Sequence, residues 1–244
     1  MEKFSLYDLL AVLFPGIIFL YLLDAVRQSF GILPSYPLTD KWQLLIIMAV
    51  MAGALIYTLS FLLTTRLTGF YRITGMYRPV SELYHTAGIH QHLGSGLNKR
   101  AAEWYGNDIF FSKTEYTQLS DSQKHEVCRL QDDFYDRMYY ELDYAGKLTT
   151  PKAFQSFYLF FRNVFVASTI SIVLLALLAL VSPVISPELS VPDDNRVLIL
   201  ALAFLFLFFC SNFIARWYRQ RMITKMYWFF YTHINSKLNT NESK

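Results

Sequence analysis

Four charge-free apolar runs stand out along the chain: Leu9–Leu23, Trp42–Thr65, Asn163–Pro187 and Val197–Ala215. A bilayer core about 30 Å thick takes roughly 20 apolar residues in a helix. The second run has 24 residues, with Trp42 at one end and Arg66 closing the other. The third follows Arg162 and meets Pro183 and Pro187, and the fourth lies between Arg196 and the Arg216-Trp217 pair. Stretches such as Ile170–Val181 and Val197–Cys210 are apolar all round and have no polar face, which fits lipid rather than a soluble bundle. The first run is the shortest. Its 15 residues lie between Asp8 and Asp24 and reach only about 22 Å. It spans if Ala25 and Val26 continue the helix, with a kink expected at Pro15-Gly16. A cleaved signal peptide is the competing reading of this run. Lys3 is the sole cation before it, and no small-x-small site follows.

These patterns predict an all-α integral membrane protein with four transmembrane helices, spanning about 8–27, 42–65, 163–183 and 196–216. A helical cytoplasmic insertion lies between the second and third. The domains are then a first hairpin at 1–65, a cytoplasmic module at 66–156, a second hairpin at 157–216 and a basic-aromatic tail at 217–244. Composition agrees: 54% of residues are hydrophobic and 17% charged, against about 25% charged in ordinary soluble domains.

Charge sets the orientation. The segment 66–156 carries 11 Lys and Arg, and the tail from Arg216 carries 6. The links 28–41 and 182–196 carry one each. Basic connections stay inside, so both termini and the module are expected in the cytoplasm of a plasma-membrane protein. Trp42, Arg66, Arg162, Arg216, Trp217, Arg219, Arg221 and Trp228 are the membrane-interface candidates. Asp8, Asp24, Arg162 and Asn163 sit at span edges, where charges snorkel to headgroups. The tail either lies on an anionic inner leaflet or continues the fourth helix and packs on the cytoplasmic segment.

The module's second half is regular. Ser120-Asp-Ser-Gln123 is a capping box. Val127, Leu130, Phe134 and Met138 then form one apolar helical face. Gly146 ends that helix, and Thr150-Pro151 begins the next, which enters the third span. In the first half, short helices are expected at Pro79–Thr86 and at Leu97–Tyr105, stopped by Gly88 and Gly106.

Chemistry is sparse. His85, His90 and His92 cluster in a loop, and His-x-His is able to chelate a metal. No third ligand has a fixed spacing and no Cys lies nearby, so solvated loop histidines are the plainer reading. Gly94-Ser-Gly96 before Lys99 and Arg100 offers backbone N–H groups to an anion. It lacks the phosphate-loop pattern, and a flexible hinge between two short helices is the plainer reading. Asp132, Asp133, Asp136, Glu141 and Asp143 are interleaved with Arg129, Arg137 and Lys147, the pattern of a salt-bridged solvated face. Cys128 and Cys210 lie in dissimilar surroundings and are expected to remain free thiols. No catalytic set, cofactor site or bulk basic charge for nucleic acid is present. No span carries a central charge of the kind coupled transporters use.

The opening Phe4-Ser-Leu-Tyr-Asp-Leu-Leu-Ala-Val-Leu-Phe-Pro-Gly16 resembles the start of small, uncharacterised bacterial polytopic membrane proteins. Gln155-Ser-Phe-Tyr-Leu-Phe-Phe-Arg-Asn163 is of similar character. Some such proteins accompany CRISPR or other anti-phage systems as membrane effectors or sensors. The resemblance implies a defence setting and supplies no catalytic residues. The expected function is that of a non-enzymatic membrane sensor or effector. Its partners would be the bilayer and either further copies of itself or an unidentified protein. An oligomeric channel or transporter, and a membrane enzyme using the His-rich loop, are the alternatives.

Overall fold

The apolar runs fold as helices. The computed structural model describes residues 9–30, 42–65, 74, 99–106, 109, 111, 113–185 and 194–241. A π-helical turn at Leu9–Leu13 leads into α1 (Phe14–Ser29), followed by α2 (Trp42–Thr65), α3 (Lys113–Gln118), α4 (Asp121–Tyr144), α5 (Thr149–Ile185) and α6 (Asp194–Asn241). Residues 99–105 are also helical. Among the described residues there is no strand. Four helical stretches, Leu9–Ser29, Trp42–Thr64, Thr149–Val181 and Asn195–Ser236, are long and apolar enough to cross a membrane. The expected helix at 79–86 lies outside the described residues.

The chain divides into two units, one of residues 1–76 with 155–218, the other of residues 77–154 with 219–244.

The first unit holds α1, α2 and most of the apolar lengths of α5 and α6. Its packing begins with the backbone of Pro15. Proline has no N–H, so the helical hydrogen bond to the carbonyl four residues earlier, that of Ala11, is absent. The structure meets this with the π turn just before Pro15 and with Asn163, whose Nδ2 donates to the Ala11 carbonyl at 2.6 Å. Ser60 Oγ in turn donates to Asn163 Oδ1 at 2.5 Å. Asn163 is fully buried and ties three helical segments together. Close approach of α1 and α2 is permitted by two glycines. A Cβ on Gly16 would lie 1.9 Å from the Ala49 carbonyl oxygen, and one on Gly53 would lie 2.0 Å from that of Val12. Small residues of this kind let backbones meet inside a bilayer. Ala11, Ile56, Tyr158, Leu159, Phe165, Val166, Ala167 and Ala215 form one buried cluster, and Val26, Phe30, Leu175 and Phe204 another. The opposite surface of α2 presents Trp42, Ile47, Met51 and Leu55 without protein cover. So broad an apolar surface fits contact with lipid.

Three helix ends are placed by the structure beyond the limits of the expected spans. Helix α5 begins at Thr149, so Pro151 is its third residue, still in the first turn, where N–H groups have no helical partner. It also runs two residues past Pro183. Helix α6 does not stop at the Arg216-Trp217 pair but continues through the basic-aromatic segment to Asn241.

That continuation builds the second unit. Met222, Ile223, Met226, Tyr227, Phe230 and Ile234 of α6 share a core with Ala101, Ile109, Phe134, Met138, Leu142 and Leu148. Of the two placements weighed for the tail, this is the packed one. Helix α4 has the expected ends. Ser120 and Gln123 form the reciprocal capping box. At the other end Gly146 adopts φ +66°. The Lys147 N–H reaches the Leu142 carbonyl and the Gly146 N–H that of Asp143, both at 2.9 Å, a Schellman closure.

Candidate ligand cleft

In α4, residues three and four apart share a face. While Phe134, Met138 and Leu142 face the core, Arg137, Tyr140 and Glu141 stand beside the 99–105 helix. Trp104 and Tyr105 end that helix, and Gly106 stops it at φ +82°. These five side chains line an open cleft of about 370 Å³.

One wall is rigidly held. Tyr105 Oη donates to Asp133 Oδ2 at 2.6 Å, and Arg137 Nε lies 3.0 Å from the same oxygen. The Arg137 guanidinium sits 5.2 Å from the centre of the Tyr105 ring. Burial, and then the hydrogen bond to the Asp133 carboxylate, hold the Tyr105 phenol above its ordinary range. Trp104 is braced edge-on against Phe134 and Phe230, with centroids 6.1 and 4.9 Å apart. Tyr140 is 72% exposed and stands at the mouth.

Behind the cleft, Glu141 Oε1 lies 3.0 Å from His233 Nε2, and His233 Nδ1 lies 3.2 Å from Lys147 Nζ. An ammonium group only donates. With Lys147 donating, Nδ1 accepts and the ring proton sits on Nε2, directed at Glu141. This tautomer follows from donor and acceptor types. The carboxylate is thereby oriented from behind by an imidazole that a cation holds in place.

Such a cleft can hold a planar molecule between aromatic surfaces, with a guanidinium for an anionic group and a carboxylate for N–H donors. Both nitrogens of His233 are engaged in the structure, and no set of three or more His, Cys, Asp or Glu able to hold a metal occurs among the described residues.

Of the residues singled out from sequence, His85, His90, His92, Gly94, Gly96 and Arg66 lie outside the described residues. Lys99 and Arg100 open the helix over 99–105, where Arg100 Nη1 donates to Asn235 Oδ1 of α6. Trp42, Arg216, Trp217, Arg221 and Trp228 are exposed. Arg162 and Arg219 are buried, at 4% and 9% exposure, unlike the other described interface candidates. Cys128 and Cys210 are free thiols. Of the ion pairs expected on α4, Asp133 with Arg137 is present at 3.0 Å, while Asp143 pairs with Lys152 of α5 at 2.7 Å and Arg129 with Glu126 at 2.6 Å. His233 had no signal of its own in the sequence, since a lone histidine in an aromatic segment has no spacing to mark it. Comparisons with protein-family models, curated proteins and solved structures return no match to this chain.

Proposed function

We propose that this chain is a multi-pass membrane protein acting as a non-enzymatic sensor. Its polar unit and both termini face the cytoplasm, and its ligand is a small planar molecule bearing an anionic group. The observation that carries the reading is the cleft itself: three aromatic side chains, the Arg137 guanidinium and a Glu141 carboxylate oriented by His233. The basic segments at 66–156 and beyond 216 support the orientation.

The test uses the full chain in detergent with Trp42, Trp217 and Trp228 changed to Phe, so that Trp104 alone reports. Nucleosides, nucleotides and aromatic acids are titrated in. At least one class is expected to quench Trp104, and Tyr140→Ala and Glu141→Gln should each weaken its binding. If no compound perturbs Trp104, the cleft is not a ligand site and the reading falls. Orientation is tested separately. A cysteine replacing the 94% exposed Tyr144 should react with an impermeant thiol reagent in inverted vesicles and not in right-side-out ones.

A further inference from the structure

The first unit contains a buried cation with no anion among the described residues. Arg162 on α5 is 4% exposed. Its guanidinium lies 5.3 Å from the centre of the Tyr57 ring and 5.7 Å from that of Tyr158. These rings attend to the charge through their faces. Neither supplies an acceptor in the plane of the guanidinium, and Nε and Nη2 have no hydrogen-bond partner among the described residues. These two nitrogens share one side of the guanidinium. Together they form the fork that grips two oxygens of a carboxylate or phosphate. An arginine cannot discharge the strain by losing its proton, and an unpaired buried charge is strongly unfavourable.

Among the described residues no neighbour answers the fork. Asn163, the next residue, spends its amide on Ala11 and Ser60. Helix α2 has no acidic residue, and α5 none either. Asp24 of α1 is paired with Arg27 at 2.6 Å. Arg162 also immediately precedes the charge-free run that begins at Asn163, which puts it at the end of the apolar span, the level at which lipid phosphates lie.

We propose that the Nε–Nη2 edge of Arg162 is a phosphate-binding site between the helices of the first unit. A phospholipid headgroup and a free phosphate present the same oxygens to it. The Tyr57 and Tyr158 rings lie over the guanidinium, so a phosphate reaching it has to displace them. The site is separate from the cleft lined by Arg137, and it stands whether or not that cleft binds a ligand.

The experiment uses the full chain in detergent stripped of native lipid. Thermal unfolding is followed while dioleoylphosphatidylglycerol, dioleoylglycerol or inorganic phosphate is added, and bound lipid is counted by native mass spectrometry. The phosphate-bearing lipid is expected to raise the midpoint and to remain bound, and dioleoylglycerol, with the same tails, is expected to do neither. If inorganic phosphate alone reproduces the shift, the occupant is free phosphate and the site stands. Arg162→Gln should weaken the effect about tenfold or more. Arg162→Lys, which keeps the charge and loses the fork, should fall between the two and serves if the Gln variant does not fold. Equal stabilisation by both lipids, no response to any phosphate, or an unchanged response in both variants would overturn the proposal.

Discussion

Asn163 donates its side-chain amide to the backbone carbonyl of Ala11, a residue 152 positions earlier in the chain. Pro15 leaves that carbonyl without its helical donor, and the buried side chain of another helix supplies one. Replacing Asn163 with Ala is expected to cost about 1–3 kcal/mol, because a buried acceptor is stripped of its donor. Pro15→Ala restores a local N–H. The two changes together should therefore be less than additive in a double-mutant cycle read by thermal unfolding. Full additivity would mean that the carbonyl and the amide are not coupled.

Glycine to alanine inside a helix ordinarily stabilises, by up to about 1 kcal/mol. At Gly16 and Gly53 the sign should reverse. Each new methyl would fall within 2.0 Å of a backbone carbonyl oxygen, which cannot rotate away as a side chain can. Gly16→Ala and Gly53→Ala are each expected to lower the unfolding midpoint by the equivalent of about 1–3 kcal/mol. An unchanged or raised midpoint would show that α1 and α2 are not in backbone contact.

The local signals in the second unit were legible because each is completed within a few residues. The Ser120 box, the Gly106 and Gly146 stops and the Val127–Met138 stripe all appear where the spacing places them. So do the four apolar helices. What was not legible depends on partners far along the chain. Arg162 and Asn163 sit at the edge of an apolar run, where snorkelling is the ordinary outcome, and only Ser60, 103 residues away, and Ala11 make the position an interior one. The tail was ambiguous for a related reason. A basic and aromatic helix serves either a headgroup layer or a protein groove, and Phe134 and Met138 decide for the groove.

Tyr105 gives the second unit an alkaline limit. Burial and the hydrogen bond to Asp133 raise its folded-state pKa, so its contribution to stability is complete below about pH 10, the value in an unfolded chain. It is lost as pH rises through the folded value. Tyr105→Phe should flatten this part of the stability curve relative to the parent chain. Chemical unfolding between neutral and strongly alkaline pH measures it, and parallel curves for the two proteins would rule out the coupling.

The ends of α4 offer a further check. Ser120→Ala removes the capping acceptor and should cost about 1 kcal/mol. Gly146→Ala forces a side chain into the left-handed region at φ +66° and should cost about 1–2 kcal/mol. Hydrogen exchange should show earlier opening of the first turn in the one and of the last turn in the other. Unaltered exchange at both ends would contradict the capping geometry.

The second unit draws half its buried core cluster from residues 222–234, far along the chain from α4. During synthesis the apolar stripe of α4 leaves the ribosome before α5 and α6 have been made, and it stays uncovered until residues 222–234 follow. Removing the segment after Tyr218 would therefore not trim an appendage. It would leave Phe134, Met138 and Leu142 permanently without their cover, the condition in which a newly made chain is held by chaperones or degraded. The order in which this protein is made thus makes the arrival of residues 222–234 the step at which the core of the second unit closes.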